Sequence, residues 1–203
     1  MNSRIRRIFF EDYVFDVFES VYEPAEDSFL LAQNLPIEEG DLVLDIGTGC
    51  GIQAILAARK ARKVLAVDVN PYAVRCALHN ALLNKVADKV EVRQGSLFES
   101  LKAGERFDAI LFNAPYLPSE PWEEHDSASQ AWSGGESGRQ VIDRFIVEAP
   151  TFLKTKGRIL LVQSTLSDVE QSLRMFTEQG LAAKVIAESK VAFETIVVIE
   201  ARR

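Results

Sequence analysis

The run Leu111-Phe112-Asn113-Ala114-Pro115-Tyr116-Leu117-Pro118 places a side-chain amide, a backbone carbonyl and a flat aromatic ring side by side where an apolar segment stops. The side-chain oxygen of Asn113 accepts hydrogen bonds, and so does the carbonyl of Ala114. Two acceptors this close can take both N–H groups of a planar –NH2, aim its nitrogen, and stabilise the positive charge that develops when that nitrogen attacks an electrophile. Tyr116 supplies a face for the planar group. Asn113, Ala114, Pro115 and Tyr116 are therefore the candidate catalytic residues, with Asn113 and Tyr116 also touching substrate. No strong base is required, because the proton can leave after the new bond has formed. The motif specifies an amino group and leaves its owner open: a side-chain amide, the N6 of adenine or the N4 of cytosine would each fit.

A second constellation lies upstream. Leu42–Ile46 runs into Gly47-Thr48-Gly49-Cys50-Gly51, and glycines at alternate positions let the backbone approach a ligand closely. Position 52 is Ile, so the dinucleotide fingerprint fails, and no lysine followed by Ser or Thr marks a phosphate loop. Asp45, just before the glycines, would repel a pyrophosphate and suits an ammonium or sulfonium. Asp68, about twenty residues on with Val69 after it, stands where an acid accepts both hydroxyls of a ribose. Gly95-Ser96-Leu97 follows a third apolar run, where an adenine ring would lie. Gly47, Thr48, Gly49, Asp68, Val69, Ser96 and Leu97 thus join Asp45 as candidate cofactor residues.

The elements that must hold these residues alternate. Residues 5 to 18 read as a hairpin broken at Glu11-Asp12. A helix starts near Pro24, with Glu26 and Asp27 in its first turn, and stops at Pro36. Strands follow at Leu42–Ile46, Val64–Val69, Val90–Arg93, Phe107–Phe112 and Arg158–Gln163. Helices are expected at Ile52–Lys60, at Pro71 to about Asn84 with Asn70 as cap, at Arg139–Ala149 and at Asp168–Gln179. Lys184–Ala187 and Thr195–Glu200 have no helix between them and should form a hairpin. Strands alternating with helices make an α/β fold, a mostly parallel sheet covered on both faces, with an antiparallel C-terminal hairpin. The long loop at 113–137 is of a length usually reserved for function.

Composition narrows the classes. The 203 residues are 47% hydrophobic and 26% charged, which fits one globular domain spanning 1–203, with residues 1–20 as a hairpin extension. The net charge of -7 argues against non-specific nucleic-acid binding. Two separated cysteines, Cys50 and Cys76, give no disulfide framework and point to a reducing, cytoplasmic setting. No signal peptide or membrane-spanning run is evident. His79 and His125 lack ligand-spaced companions, so no metal site is expected.

The glycine loop behind Asp45, the acid at Asp68 and the Asn113–Tyr116 run resemble the S-adenosylmethionine-dependent methyltransferases, and more narrowly the HemK group of release-factor glutamine methyltransferases. Val21-Tyr22-Glu23-Pro24-Ala25-Glu26-Asp27-Ser28 is similar to the opening segment of that group's eukaryotic and archaeal branch. Ala131-Trp132-Ser133-Gly134-Gly135-Glu136-Ser137-Gly138-Arg139 resembles a second segment of the same branch. The hairpin leads almost directly into Val21, without the long N-terminal helical domain of the bacterial relatives, which also points to the shorter branch. The resemblance implies a Rossmann-like class I methyltransferase sheet of seven strands, only the last antiparallel. It implies S-adenosylmethionine as cofactor, with Ser28 and Asn113 added to its contacts. The substrate would be the GGQ glutamine of a class 1 translation release factor, approached by Trp132 and Arg139. A small zinc-binding activator subunit would pair along Lys89–Gln94. The family often has Asp at the place of Ser96 and Pro at that of Ala114; the Ala114 carbonyl, the working part, survives the change. Other readings stay open: methylation of a nucleic-acid base or a protein lysine, or a cofactor-binding scaffold without turnover.

Overall fold

The computed structural model describes residues 5–116 and 138–203. The expectations for Leu117 and Pro118, for His125 and for Trp132 lie outside the described residues.

The central sheet has seven strands. β3 (Leu42–Ile46), β4 (Lys63–Asp68), β5 (Val90–Gln94), β6 (Phe107–Asn113), β7 (Leu153–Ser164), β8 (Ala182–Lys190) and β9 (Thr195–Arg202) lie in the order β5-β4-β3-β6-β7-β9-β8. The first five pair parallel, and β9 runs antiparallel to both β7 and β8. The expected sheet and its single reversed strand are therefore present. β7 begins five residues earlier than the apolar run suggests, because Leu153 pairs with Phe107 ahead of an irregularity that ends at Arg158, and β8 is longer at both ends, because its pairing with β9 carries through exposed polar residues that hydropathy does not mark.

One face of the sheet is covered by α1 (Glu26–Gln33), α2 (Ile52–Ala57) and α3 (Pro71–Leu83). The other packs α4 (Gln140–Glu148) and α5 (Val169–Glu178). Side chains alternate between faces along a strand. Val43, Ala66, Leu111 and Val162 belong to the first core, while Leu44, Ile46, Val67 and Phe112 belong to the second.

The N-terminal hairpin, β1 (Ile5–Phe10) and β2 (Tyr13–Phe18), is not part of this sheet. Its outer edge is taken up by asparagine side chains in and at the ends of α3. Asn84 accepts from the Val14 N–H at 3.1 Å and donates to its carbonyl at 2.8 Å. One turn earlier, Asn80 accepts from the Asp16 N–H and donates to its carbonyl, both at 2.9 Å. Asn80 also donates to the Cys50 carbonyl in the glycine loop at 2.8 Å. At the start of α3, Asn70 Oδ1 caps Tyr72 N–H and Asn70 Nδ2 donates to the Ser20 carbonyl at 2.8 Å. Residues four apart lie on one helix face, so a single stripe of α3 offers the hairpin the donors and acceptors that a strand would.

Asn80 is fully buried, and its removal strands the Asp16 N–H and the Cys50 carbonyl, each worth about 1 kcal/mol or more when unpaired, and leaves the Asp16 carbonyl only the Cys76 thiol. Asn80→Ala should lower unfolding free energy by about 2–4 kcal/mol in a denaturant titration, with Asn84→Ala costing less. A loss for Asn80→Ala below about 0.5 kcal/mol, the size of an ordinary surface change, would show the hairpin is held otherwise.

Candidate active site

β3, β4 and β6 deliver the key polar residues on one face, near the ends of neighbouring strands. Ile46 pairs with Val67 on one side and Phe112 on the other, so Gly47, Asp68 and Asn113 form the next row. Asp45 sits beside Ala66 and Leu111, and both Asp68 and Asn113 lie two residues beyond those neighbours. Period-two alternation therefore turns Asp45, Asp68 and Asn113 all toward the face covered by α1, α2 and α3. Beyond these strand ends lies a cavity of about 370 Å³, at the place where open α/β sheets take ligands.

The glycine loop forms its floor. Gly49 has a φ of +57°, and a Cβ there would meet nothing within 4 Å, so its backbone stands open to the cavity. Gly51 is held for a different reason. Its φ is +88°, and a Cβ would lie 3.2 Å from the Cα of Ala77 in α3, so glycine is what lets α2 start against that helix. Thr48 donates its hydroxyl to Asp45 at 2.6 Å, and the Gly49 N–H donates to Asp68 at 2.8 Å. The two acids thus shape the loop they flank.

Both acids are electrostatically unsettled. Burial pushes the Asp45 carboxyl up to about 7, against the opposing pull of the Thr48 hydroxyl and the Ala54 N–H, and the neighbouring charge of Asp68 adds to the rise. Asp68 is also raised by burial, although the N–H groups of Asn70 and Gly49 favour its ionised form. A cavity lined by two carboxylates that burial disfavours as anions gains from a ligand carrying positive charge. Asp68 Oδ1 and Oδ2 each accept one backbone N–H and keep lone pairs for the hydroxyls of a ribose.

Of the residues expected from sequence, Ser28, Asp45, Gly47, Thr48, Gly49, Asp68, Val69, Ser96, Leu97, Asn113, Ala114, Pro115 and Tyr116 all line this cavity. Leu97 holds a φ of +47°, a conformation that costs a side-chain-bearing residue about 1–2 kcal/mol. Arg139, expected at the substrate, is not among the residues that line it. It is buried, and its guanidinium donates to the carbonyls of Ser167 and Asp168, to Asp143 at 2.6 Å and to the Ser172 hydroxyl at 3.1 Å. Arg139 therefore clamps α4 to the start of α5. Arg144 spends its charge on Glu148 and Glu99 at the surface.

Asp27, Tyr22 and Gln53 also line the cavity and were not foreseen in a site role. Asp27 collects hydrogen bonds from Tyr22, Ser28, Asn113 and Tyr116; in sequence it reads only as an acid in a first helical turn. Burial, reinforced by the Asp27 charge, raises both Tyr22 and Tyr116 well above the ordinary tyrosine range, so both phenols stay protonated. Gln53 donates to the Ser28 carbonyl at 2.7 Å, which leaves its own buried oxygen without a partner among the described residues. The buried Oδ1 of Asn113 is likewise unpaired. Among the described residues no group of three or more His, Cys, Asp or Glu could hold a metal ion, and no helix is long and apolar enough to cross a membrane.

A sheet in this order, with a glycine loop after its central strand, an acid at the next strand end and an open cavity above both, defines the class I methyltransferases, whose cofactor is S-adenosylmethionine. The residues present fit that cofactor: the buried Asp45 carboxylate for its positive charge, Asp68 for its ribose, and the unpaired Gln53 oxygen for its ammonium. The chain belongs to the methyltransferase small domain family, whose model matches residues 20–190. It is 43% identical over 185 residues to a provisionally named protein N5-glutamine methyltransferase of Methanocaldococcus jannaschii, covering 90% of this chain and 92% of that one. It is 32% identical over 194 residues to methyltransferase HEMK2 of Homo sapiens, with 90% of each chain covered. Among solved structures it superposes, with a TM-score of 0.70 and 25% identity, on a chain of the E. cuniculi Mtq2-Trm112 complex, described as methylating the translation termination factor eRF1. That match covers 91% of this chain and 99% of the other.

The raised Asp45 gives a signed expectation. An acid whose folded value lies above its unfolded value is protonated in the native state while ionised in the unfolded chain. Its contribution to stability is therefore full below the ordinary carboxylate range and is lost as pH rises toward about 7. Without cofactor, the stability difference between wild type and Asp45→Asn should change across that window by up to about 1.4 kcal/mol per pH unit. A difference independent of pH from 4 to 7 would mean Asp45 is ionised throughout.

Proposed function

We propose that this enzyme transfers the methyl group of S-adenosylmethionine to the side-chain amide nitrogen of the glutamine in the GGQ motif of a class 1 translation release factor. The observation that carries the reading is the unpaired, buried Oδ1 of Asn113 at the wall of the cavity, next to the Ala114 carbonyl. An amide nitrogen has its lone pair conjugated to the carbonyl and attacks poorly. Held by both its hydrogens, it can be aimed at the methyl carbon, and the charge that grows on nitrogen is met by two acceptors. The bound cofactor supplies the electrophilic methyl. The chain's own part is to bind, orient and exclude water, and Tyr116, half-buried beside Asn113, gives the planar amide a surface to lie on.

The same reading extends to a partner. β5 is an edge strand, and beside it α3 exposes Leu78, Leu82 and Leu83. An unpaired edge next to apolar side chains suits a small zinc-binding activator that continues the sheet. We read residues 1–203 as one domain, the hairpin being its extension, working in the cytoplasm.

Labelled cofactor should mark purified release factor, with the activator present, and should not mark DNA or a release factor whose GGQ glutamine is replaced by alanine. Asn113→Ala should lower turnover by about 100-fold or more while leaving the fold intact. Label on DNA instead of release factor, or full activity in Asn113→Ala, would overturn the reading.

A further inference from the structure

Asp27 lies at the first turn of α1 and is 4% exposed. Its Oδ1 takes the Ser28 N–H at 2.5 Å, the Ser28 hydroxyl at 3.0 Å and the Tyr22 hydroxyl at 3.0 Å. Its Oδ2 takes Asn113 Nδ2 at 3.1 Å and, more distantly, the Tyr116 hydroxyl at 3.4 Å. An ionised carboxylate has no hydrogen to give, so each of these groups turns a hydrogen toward it. For Asn113 that fixes the amide. Nδ2 faces Asp27 and the Ser28 oxygen, the latter at 3.2 Å, and Oδ1 is turned away, with no partner among the described residues. For Tyr116 it draws the hydroxyl hydrogen inward and leaves the oxygen lone pairs outward.

We propose that Asp27 is a positioning residue that sets the direction of the hydrogen bonds around the acceptor site, so that the wall formed by Asn113 and Tyr116 displays acceptors and selects a substrate presenting –NH2. The inference rests on the reading of Asn113 as the receptor of the substrate amine. A neutral acid or an amide at position 27 could donate as well as accept, and Asn113 would then be free to rotate. Half of its orientations would point its own –NH2 at the substrate –NH2, where two donors oppose one another. The cost falls on the oriented amine and not on the cofactor, whose ribose is held by Asp68.

Two variants and a spectrum test this. Asp27→Asn should lower kcat for methyl transfer by about 10- to 100-fold and change the cofactor KM by less than about 3-fold. In an Asn113→Ala background the same substitution should cost less than about 3-fold, because the group it acts through is gone. Asn113→Asp alone sets two carboxylates against each other. The exchanged pair D27N/N113D restores one donor facing one acceptor, and should recover at least about 10-fold over N113D. Independently of any substrate, the side-chain NH2 resonances of Asn113, assigned by their loss in Asn113→Ala, should move and exchange faster with water in Asp27→Asn. The dispersion of the remaining amide resonances reports whether that variant folds. Equal losses in both backgrounds, no recovery in the exchanged pair, or unmoved Asn113 resonances would overturn the proposal. If wild type methylates no release factor, the proposed substrate falls, and the spectrum still decides the role of Asp27.

Discussion

The outer backbone edge of β2 meets no strand among the described residues, and side-chain amides at α3 and its ends take that place. That substitution fixes more than a hairpin. Asn80 holds the edge of β2 and the Cys50 carbonyl with one amide group, so the N-terminal extension and the glycine loop are tied to the same buried point. Asn70 holds the Ser20 carbonyl where the chain leaves the hairpin. The next residues run directly to Tyr22, Asp27 and Ser28 at the cavity. The position of the acceptor site thus follows from three asparagines on a helix that contributes none of the acceptors itself.

Burying carboxylates is costly unless something answers them. The site contains three, and each is answered differently. Asp27 is met by hydroxyl, amide and backbone donors within the chain. Asp68 accepts two backbone N–H groups with capacity to spare. Asp45 has the Thr48 hydroxyl and one N–H, and remains high enough to be half-protonated near neutrality. The least satisfied acid lies beside the loop where a cationic ligand would come, and the most satisfied lies beside the group that must keep one orientation. This gradient links the fold to the chemistry of a positively charged methyl donor and a neutral amine acceptor.

Much of this was legible in the sequence for local reasons. Apolar runs such as Leu42–Ile46 and Phe107–Phe112 announce buried parallel strands. The glycine loop and the Asn70-Pro71 start of α3 carry their geometry in adjacent residues. What was not legible depends on distant partners. Asn80 and Asn84 look like ordinary helix polar residues, because the backbone they bond lies 64 and 70 positions away. Asp27 looks like a first-turn acid, since its link to Asn113 spans 86 positions. Arg139 sits in a segment that suggests substrate contact, yet the turn before α5 brings two carbonyls onto its guanidinium. Ser28 lines the cavity, but that Gln53 would brace it from α2 had no marker beyond a polar residue in a buried turn.

The central claim is that Asn113 receives an amide nitrogen through its outward oxygen. A crystal structure of the enzyme with demethylated cofactor and a GGQ-containing peptide tests it most directly. The account predicts the glutamine side-chain nitrogen within about 3.2 Å of both Asn113 Oδ1 and the Ala114 carbonyl, with Asn113 Nδ2 still on Asp27. A glutamine bound through its oxygen, or an Asn113 turned so that Nδ2 faces the peptide, would contradict it.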